Sequence, residues 1–389
     1  MRKTLWNGLF VFLLLAALLA GLGRTLLRPK LINYYENRYA YRVARPTAAA
    51  LLDGGFQDAL EDALSDQIPG AQTMKKDYHL AFSTYQRLTA LPLSHAEPET
   101  LFHIGPVLLR DGYLLHRYRP LDPERDALDR RIENYRAAFA AHPDTAFYVY
   151  FIEEAADLDL TTGEKNGVAD RLEAGLGLPE GRFGRFSIDS FADVQRDFYR
   201  TDHHWQYTGS YRGYTELLGM LLPGETPLAP AETVRVGVSR GSKASGRALA
   251  AFSEEFWAYR FDFPAQEATL GGAPLRDYGS QDLFLGGLAP DTLRYGSFYG
   301  DDLGELTLRC PENAGRGELL IVGDSFDNAV LKLLASHFEA TYSVDLRYYA
   351  VVTGRPFSLG DFLAEHPDAK VLLAGSLSYF LLDTFDLED

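Results

Sequence analysis

Three short, almost wholly apolar runs constrain the fold of this chain more than any other feature of its sequence. They are residues 146–152 (AFYVYFI), 318–322 (ELLIV) and 370–374 (KVLLA). Continuous apolar strands are typical of a sheet that is covered by helices on both faces. A polar helix is predicted at 122–144, before the first run, and a second helix is predicted at about 328–337, after the second run. This alternation predicts an α/β fold with helices on the faces of a sheet.

The 389 residues divide into segments of different character. Residues 1–30 are an N-terminal transmembrane anchor or signal segment. Residues 31–95 are predicted to be a helical juxtamembrane region or the first layer of the domain, because apolar residues recur there at helical spacing. Residues 96–389 are predicted to form the main domain, with a hairpin at 103–118 that turns at Asp-Gly. Residues 271–302 lack a helical period, which predicts loops around a cleft.

The N-terminal segment predicts the cellular compartment. After Arg2 and Lys3, residues 5–22 carry no charge. As a helix they would span about 27 Å, close to the roughly 30 Å of a bilayer core. A cleaved signal peptide is the alternative, because residues 9–22 also suit its apolar region. We favour a retained anchor and an extracytoplasmic domain, at the cell surface or in the periplasm.

Charge and cysteine content exclude several classes of protein. The formal net charge is −16, and so acidic a surface repels nucleic acid and anionic lipid headgroups. Cys310 is the only cysteine, so neither an internal disulfide nor a thiolate metal cluster is expected. The aromatic content of 13% is compatible with sugar binding, although aromatic side chains are core residues first.

One candidate reactive group is the tetrapeptide Gly323-Asp324-Ser325-Phe326, which follows an apolar strand and precedes a predicted helix. Reactive side chains of open α/β sheets lie at the carboxyl ends of strands, so Ser325 is expected to project into a crevice. Its N–H, in the first turn of the helix, would then donate to an oxyanion. The alternative is that Asp324 and Ser325 only cap the helix.

A second cluster is Thr201-Asp202-His203-His204-Trp205. A serine nucleophile needs a base, and the base works best when a carboxylate fixes its tautomer. If this stretch is extended, Asp202 and His204 share one face while His203 points away, which makes His204 the expected base. The structural alternatives are that the histidines and Trp205 are core residues and that Asp202 caps a helix.

An Asp-His-His sequence also suits a manganese or zinc ion. The remaining histidines are scattered along the chain, and no two of them lie within four residues of each other. We therefore expect no metal ion and no other cofactor.

These motifs together resemble the DHHW protein family, whose members are similar to the SGNH-hydrolase-like proteins of alginate O-acetylation. The resemblance rests on YRTDHHWQYTGSYRGY, on GDSF at 323–326 and on VDLRY at 344–348, and it extends from about residue 55 to the C-terminus. It implies a three-layer SGNH-like domain with a permuted motif order, behind the membrane anchor helix. By position it also implies a catalytic triad of Asp202, His204 and Ser325.

Further site residues are proposed around this triad. Tyr299-Gly300 is the candidate for a second oxyanion donor, through the Gly300 N–H, and a plain turn is the alternative. Asn328 either flanks the serine or caps its helix together with Asp324.

Three more residues are candidates for contact with substrate. Arg347 either binds a hydroxyl or carboxylate of the acceptor or forms a surface ion pair with Asp345. His203 and Trp205 are included because they adjoin the expected base.

The resemblance implies an extracytoplasmic O-acetyltransferase that passes acetyl groups through a serine acyl-enzyme to hydroxyls of a cell-surface or exported polysaccharide. That compartment holds no acetyl-CoA. The resemblance implies that a membrane-bound O-acyltransferase supplies the acetyl group, and the anchor would keep the domain close to it. Two alternatives stay open. One is a carbohydrate acetylesterase with the same triad, and the other is a non-catalytic, membrane-anchored protein that binds or assembles polysaccharide.

Overall fold

The computed structural model describes residues 2–27, 30, 32, 33, 38–41, 47–67, 71–105, 107–244, 249, 251–276, 278 and 293–382. Contacts within the chain group its residues into two units. The first comprises residues 1–96 and 242–252, and the second comprises residues 97–241 and 253–389. The sequence predicts a boundary near residue 95. It does not predict that residues 242–252 belong to the first unit.

The first unit is mainly helical. Its helices are Arg2–Leu27, Ala48–Leu52, Gly55–Gln67 and Ala71–Ala96. Two short strands that the sequence does not indicate, β1 (Ile32–Asn33) and β2 (Arg38–Tyr39), pair antiparallel. Within the described residues, one stretch, Trp6–Arg24, is long and apolar enough to cross a membrane, a test that a signal sequence also passes.

Buried polar groups hold the first unit together. The Tyr41 N–H donates to the Asp66 carboxylate at 2.9 Å, and the Lys30 ammonium group donates to the Asp66 carbonyl oxygen at 3.0 Å. The hydroxyl oxygen of the buried Ser83 accepts from the Ala251 N–H at 2.9 Å. This last bond joins the distant segment 242–252 to helix Ala71–Ala96.

The second unit is built on an eight-stranded mixed sheet. Five neighbouring strands run parallel, and three more at one end continue the sheet antiparallel. In spatial order they are β11 (Ala273–Pro274), β10 (Glu267–Leu270), β12 (Glu305–Arg309), β14 (Ala340–Val344), β13 (Glu318–Gly323), β15 (Lys370–Gly375), β6 (Phe147–Ile152) and β7 (Phe183–Phe186). The three predicted apolar runs are neighbouring strands, β13, β15 and β6.

Alternate side chains of the central strands enter two separate cores. In β13, Leu319 and Ile321 pack in one core, whereas Leu320 and Val322 pack in the other. The α/β prediction is confirmed, because helices cover both faces of the sheet. On one face these are Tyr207–Leu221 and Asn328–Ala335, and on the other Arg125–Ala141, Val168–Leu176, Leu346–Thr353, Leu359–Glu365 and Leu377–Phe380.

Two smaller sheets complete the second unit. Strands β3 (Phe102–Ile104), β4 (Val107–Arg110) and β5 (Tyr113–Leu115) form one, and β8 (Glu232–Ser239) pairs with β9 (Glu254–Arg260) in the other. The predicted hairpin is confirmed, since Asp111 and Gly112 form the turn from β4 to β5 with φ of 42° and 78°.

Short helical segments lie between these strands. They are Asp122–Glu124, Ala155–Asp157, Phe191–Asp197, Tyr295–Tyr299 and Pro311–Asn313. Residues 271–302, predicted to be loops, contain β11 and helix Tyr295–Tyr299, while 277 and 279–292 lie outside the described residues.

Candidate active site

Ser325 lies in a tight turn between β13 and helix Asn328–Ala335. The Phe326 N–H donates to the Asp324 carboxylate at 3.1 Å, and the Asp327 N–H donates to the Asp324 carbonyl oxygen at 3.0 Å. A side chain at Gly323 would lie 2.6 Å from a carboxylate oxygen of Asp327, so glycine is needed where the strand enters the turn. The Asp324 carboxylate therefore stabilises the turn that precedes the helix, and it does not cap the helix itself.

Asp202 and His204 lie in a bent loop. The expectation of an extended stretch is wrong, because residues 200–204 bend between Phe198 and Trp205, which pair as an antiparallel bridge. The loop turns the Asp202 carboxylate back onto the His204 N–H, at 3.1 Å. The carboxylate and the imidazole still meet, but through a local turn and not through strand alternation.

A hydrogen-bonded chain joins the three residues of the predicted triad. His204 Nδ1 is 2.7 Å from Asp202 Oδ1, and His204 Nε2 is 2.7 Å from Ser325 Oγ. Asp202 and His204 are each 6% exposed. A carboxylate on Nδ1 keeps the proton there, so that Nε2 can accept the serine proton. This geometry suits a serine nucleophile with His204 as its general base.

Aromatic rings hold the His204 imidazole in place. The Tyr295 ring stacks on it with 3.8 Å between centroids and an interplanar angle of 1°, and the Phe326 ring lies 5.0 Å away. The Tyr295 hydroxyl donates to the Phe326 carbonyl oxygen and accepts from the Trp205 indole N–H. Trp205 is fully buried, so it supports the ring behind His204 and does not face a ligand.

The buried carboxylate of Glu254 holds the backbone just before Asp202. It accepts from the Arg200 N–H at 2.8 Å, the Thr201 N–H at 2.7 Å and the Thr201 hydroxyl at 2.6 Å. The loop also rests on Gly241, where a Cβ would lie 2.4 Å from the Asp202 nitrogen. Sequence reasoning missed both residues, because neither lies near a motif.

We expect Glu254→Gln to misplace the triad. A glutamine offers one oxygen where the carboxylate offers two, so a buried N–H loses its acceptor. The free energy of unfolding should fall by about 2 kcal/mol. Turnover of an activated ester should fall by about tenfold or more. Urea denaturation and steady-state kinetics measure the two effects.

The matched control is Glu255→Gln, because Glu255 is exposed and pairs with Arg235 at the surface. Such a pair contributes about 1 kcal/mol or less. Equal losses in the two variants would show that Glu254 does not position the triad.

A cavity of about 440 Å³ opens at Ser325. Part of its wall comes from segments that follow the parallel strands β6, β13, β14 and β15, at the edge where ligands bind in open α/β sheets, and the rest comes from residues 116–120 and His203. Predicted site residues in its lining are Ser325, His203 and Arg347, together with Asp324. The lining also includes His116, Glu154 and Ser376, which sequence reasoning missed.

The Ser325 N–H is available for the proposed role of oxyanion donor, whereas the Gly300 N–H is not. Nothing in the described part of the chain accepts a hydrogen bond from the Ser325 N–H, which leaves it for a ligand. The Gly300 N–H donates to the Gly296 carbonyl oxygen at 2.8 Å, so it is engaged within its own helical turn. The structure therefore does not offer Gly300 as a donor at the nucleophile.

Tyr299 and Asn328 line a pocket other than the Ser325 cavity. Most of the residues that line this pocket are aromatic. The Asn328 amide donates to the Asp302 carboxylate at 3.0 Å. Neither residue is among those that line the cavity at Ser325.

Arg347 sits in a cluster of carboxylates beside the nucleophile. Its guanidinium contacts Asp345 and lies 3.3 Å from Asp302, so the ion pair that the sequence left open is formed. Burial lowers the pKa of Arg347, but these carboxylate partners raise it above its ordinary value. Burial raises the pKa of Asp324 to about 6, against the effect of Arg347. Arg347 thus forms an ion pair and also lines the cavity.

The surroundings of His203 favour its neutral form. Burial and the neighbouring His204 lower the pKa of His203 to about 3. One potential ligand atom each from Asp202, His203 and His204 lies within 4.8 Å of the others, a spacing that suits a metal ion. Both ring nitrogens of His204 are already engaged, by Asp202 and by Ser325, which leaves this trio poorly suited to hold a metal.

Fold and geometry together define an α/β domain with a Ser-His-Asp arrangement at the carboxyl edge of its sheet. No protein-family model matches the chain, and no curated protein matches it. The chain is similar to several solved structures, and its sequence identity to each of them is low.

A DHHW family protein from Eubacterium siraeum is 16% identical, with a TM-score of 0.56, over 74% of this chain and 96% of that one. PatB1 from Bacillus cereus is 17% identical, with a TM-score of 0.53, over 74% of this chain and 98% of that one, and it is also known with a sulfonyl adduct. The O-acetyltransferase domain of Pseudomonas putida AlgJ is 12% identical, with a TM-score of 0.39, over 70% of this chain and 91% of that one. The resemblance to the DHHW family is confirmed as a likeness of fold.

Proposed function

We propose that this chain is a serine O-acetyltransferase that acts on a cell-surface or exported polysaccharide. The observation that carries the proposal is the chain of two 2.7 Å contacts from Asp202 through His204 to Ser325, at the floor of an open cavity. The motif resemblance is the reason for proposing an acetyl group and a polysaccharide acceptor. The geometry of the site is the reason for proposing Ser325 as the nucleophile and His204 as its base.

The first half-reaction forms an acyl-enzyme. Ser325 Oγ attacks the carbonyl carbon of the donor ester while its proton passes to His204 Nε2. The Ser325 N–H stabilises the oxyanion, since an unpaired N–H at the attacked carbonyl lowers the barrier. The bond to the leaving group then breaks, and the leaving oxygen takes the proton from His204.

The second half-reaction regenerates the enzyme. A sugar hydroxyl gives its proton to His204 Nε2 and bonds to the acetyl carbon, and the bond from that carbon to Ser325 Oγ breaks. Ser325 Oγ recovers the proton from His204. Because the two substrates react in turn, ping-pong kinetics are expected.

The proposed setting is extracytoplasmic. Trp6–Arg24 would anchor the chain, and a membrane-bound O-acyltransferase would supply the acetyl group, so that no cofactor is bound by this chain. Anchoring both proteins in one membrane raises the effective concentration of the donor.

The full-length chain in detergent micelles tests this proposal by intact mass spectrometry. With 4-nitrophenyl acetate we expect the mass of one acetyl group to be added, and peptide fragmentation should place it on Ser325. A sulfonyl fluoride should compete for the same residue, as the sulfonyl adduct of PatB1 suggests. Addition of a polysaccharide fragment should remove the acetyl group as a sugar ester.

Release of free acetate alone, with every saccharide tried, would identify an esterase. No adduct and no ester turnover would favour the non-catalytic role.

A further inference from the structure

A second pair of a histidine and a carboxylate lies in the cavity, outside the triad. His116 Nδ1 is 3.6 Å from Glu154 Oε2, and both residues line the cavity that contains Ser325. The His116 ring stacks on that of His203 with 6.0 Å between centroids, and His203 in turn lies 3.9 Å from His204. Three imidazoles thus form a row that leads away from the nucleophile.

Two elements place this pair beside the triad. Glu154 follows the carboxyl end of β6, at the edge of the sheet where Ser325 also lies. His116 follows β5, and the Leu114 N–H of that strand donates to the Arg200 carbonyl oxygen at 2.8 Å. The hairpin is therefore bonded to the same loop that carries Asp202 and His204.

The surroundings of His116 determine which of its nitrogens can bind a ligand. The Glu154 side chain is only 13% exposed, and its Oε2 lies 3.6 Å from His116 Nδ1, so the carboxylate faces that ring nitrogen and not Nε2. In the neutral imidazole with its proton on the side of the carboxylate, Nε2 is the acceptor. The His116 side chain is 38% exposed, and no group in the described ranges of the chain bonds to its Nε2. This nitrogen is available to a hydroxyl in the cavity.

We propose that His116, oriented by Glu154, accepts a hydrogen bond from a second hydroxyl of the acceptor and so favours transfer to a polyhydroxylated molecule over hydrolysis. This inference rests on the proposed function and adds the acceptor site to it. The attacking hydroxyl still gives its proton to His204, and the acetyl carbon exchanges its bond to Ser325 Oγ for a bond to that hydroxyl oxygen. His116 forms and breaks no covalent bond, and its role is to hold the acceptor in place of water.

The test measures how the acyl-enzyme divides between acceptor and water. The full-length chain receives 4-nitrophenyl acetate with either methyl glucoside, which has several hydroxyls, or ethanol, which has one. Chromatography gives the ratio of acetyl ester to free acetate. After the acetate that forms without enzyme is subtracted, this ratio does not depend on how much of a variant is folded.

We expect His116→Ala to lower the ratio about tenfold with methyl glucoside, the effect of losing about one hydrogen bond, and little with ethanol. His116→Gln, whose amide can still bond a hydroxyl, should restore part of the ratio. The control is His103→Ala, because His103 is exposed in the same small sheet and is not among the cavity residues.

The possible outcomes separate the two proposals. An unchanged ratio in His116→Ala, in an enzyme whose wild type transfers acetyl groups, would overturn the role of His116 alone. Equal losses with ethanol and methyl glucoside, or failure of His116→Ala to form the acyl-enzyme, would also overturn it. A wild-type chain that forms no acyl-enzyme would overturn the proposed function itself.

Discussion

Replacement of Ser325 by alanine should lower the turnover of an activated acetyl ester by about 10⁴-fold or more. The reason is that Oγ is the atom at 2.7 Å from His204 Nε2, and in the described part of the chain no other hydroxyl contacts that nitrogen. Alanine leaves the turn intact, because the bonds of this turn are made by the backbone and by Asp324. Stopped-flow release of 4-nitrophenol measures both the burst and the steady state.

The control for this prediction is Ser253→Ala, since Ser253 is exposed and lies outside the cavity. It should keep the burst and the turnover of the wild type. If Ser325→Ala retains a burst of the same size, another nucleophile accepts the acetyl group and the assignment of Ser325 is wrong.

Replacement of Asp202 by asparagine should have the next largest effect, a loss of about 10⁴-fold in kcat with little change in KM. The carboxylate accepts from the His204 N–H and from Nδ1 at 2.7 Å. An amide removes the negative charge that stabilises the imidazolium, and its NH₂ group favours the tautomer with the proton on Nε2. That tautomer cannot accept the proton of Ser325. The rate of Ser325 labelling by a sulfonyl fluoride should fall in parallel.

Asp368→Asn is the matched control, because Asp368 is exposed in a loop far along the chain. It should label and turn over as the wild type does. A loss of less than tenfold in Asp202→Asn would show that His204 does not depend on this carboxylate. The same loss in both variants would point to a general charge effect.

The strands at the centre of the sheet were predictable from the sequence. Each of the runs at 146–152, 318–322 and 370–374 is apolar on both faces, and burial on both faces requires such a pattern. The order of the strands was not predictable, because β13 lies between β14 and β15, which follow it in the chain. Local periodicity holds no information on which strands pair.

The triad was partly predictable. Ser325 follows a strand end, and a carboxylate two residues before a histidine is a local pattern that sequence reasoning can find. The prediction that Asp202 and His204 lie on one face of an extended stretch was wrong, since the loop bends and Asp202 meets His204 through a turn. The prediction still named the correct pair, because two side chains that are two residues apart can meet both in an extended strand and in a bent loop.

The supporting residues were beyond sequence reasoning. Glu254 holds a loop some fifty residues earlier in the chain, and Tyr295 stacks on His204 across ninety residues. Gly300 fails as an oxyanion donor because its N–H is engaged inside a helical turn that the local composition did not reveal. Such contacts depend on how distant segments fold together.

The sequence by itself determined the strand segments, the apolar N-terminal helix, the candidate nucleophile and its candidate base, because each depends on residues that are neighbours in the chain. The tertiary structure decided what surrounds them. The crossovers of the sheet bring the ends of β6, β13 and β15 to one edge, and this places Glu154, Ser325 and Ser376 around one cavity. The composition of a site depends on strand order and burial, which arise only when the whole domain has folded.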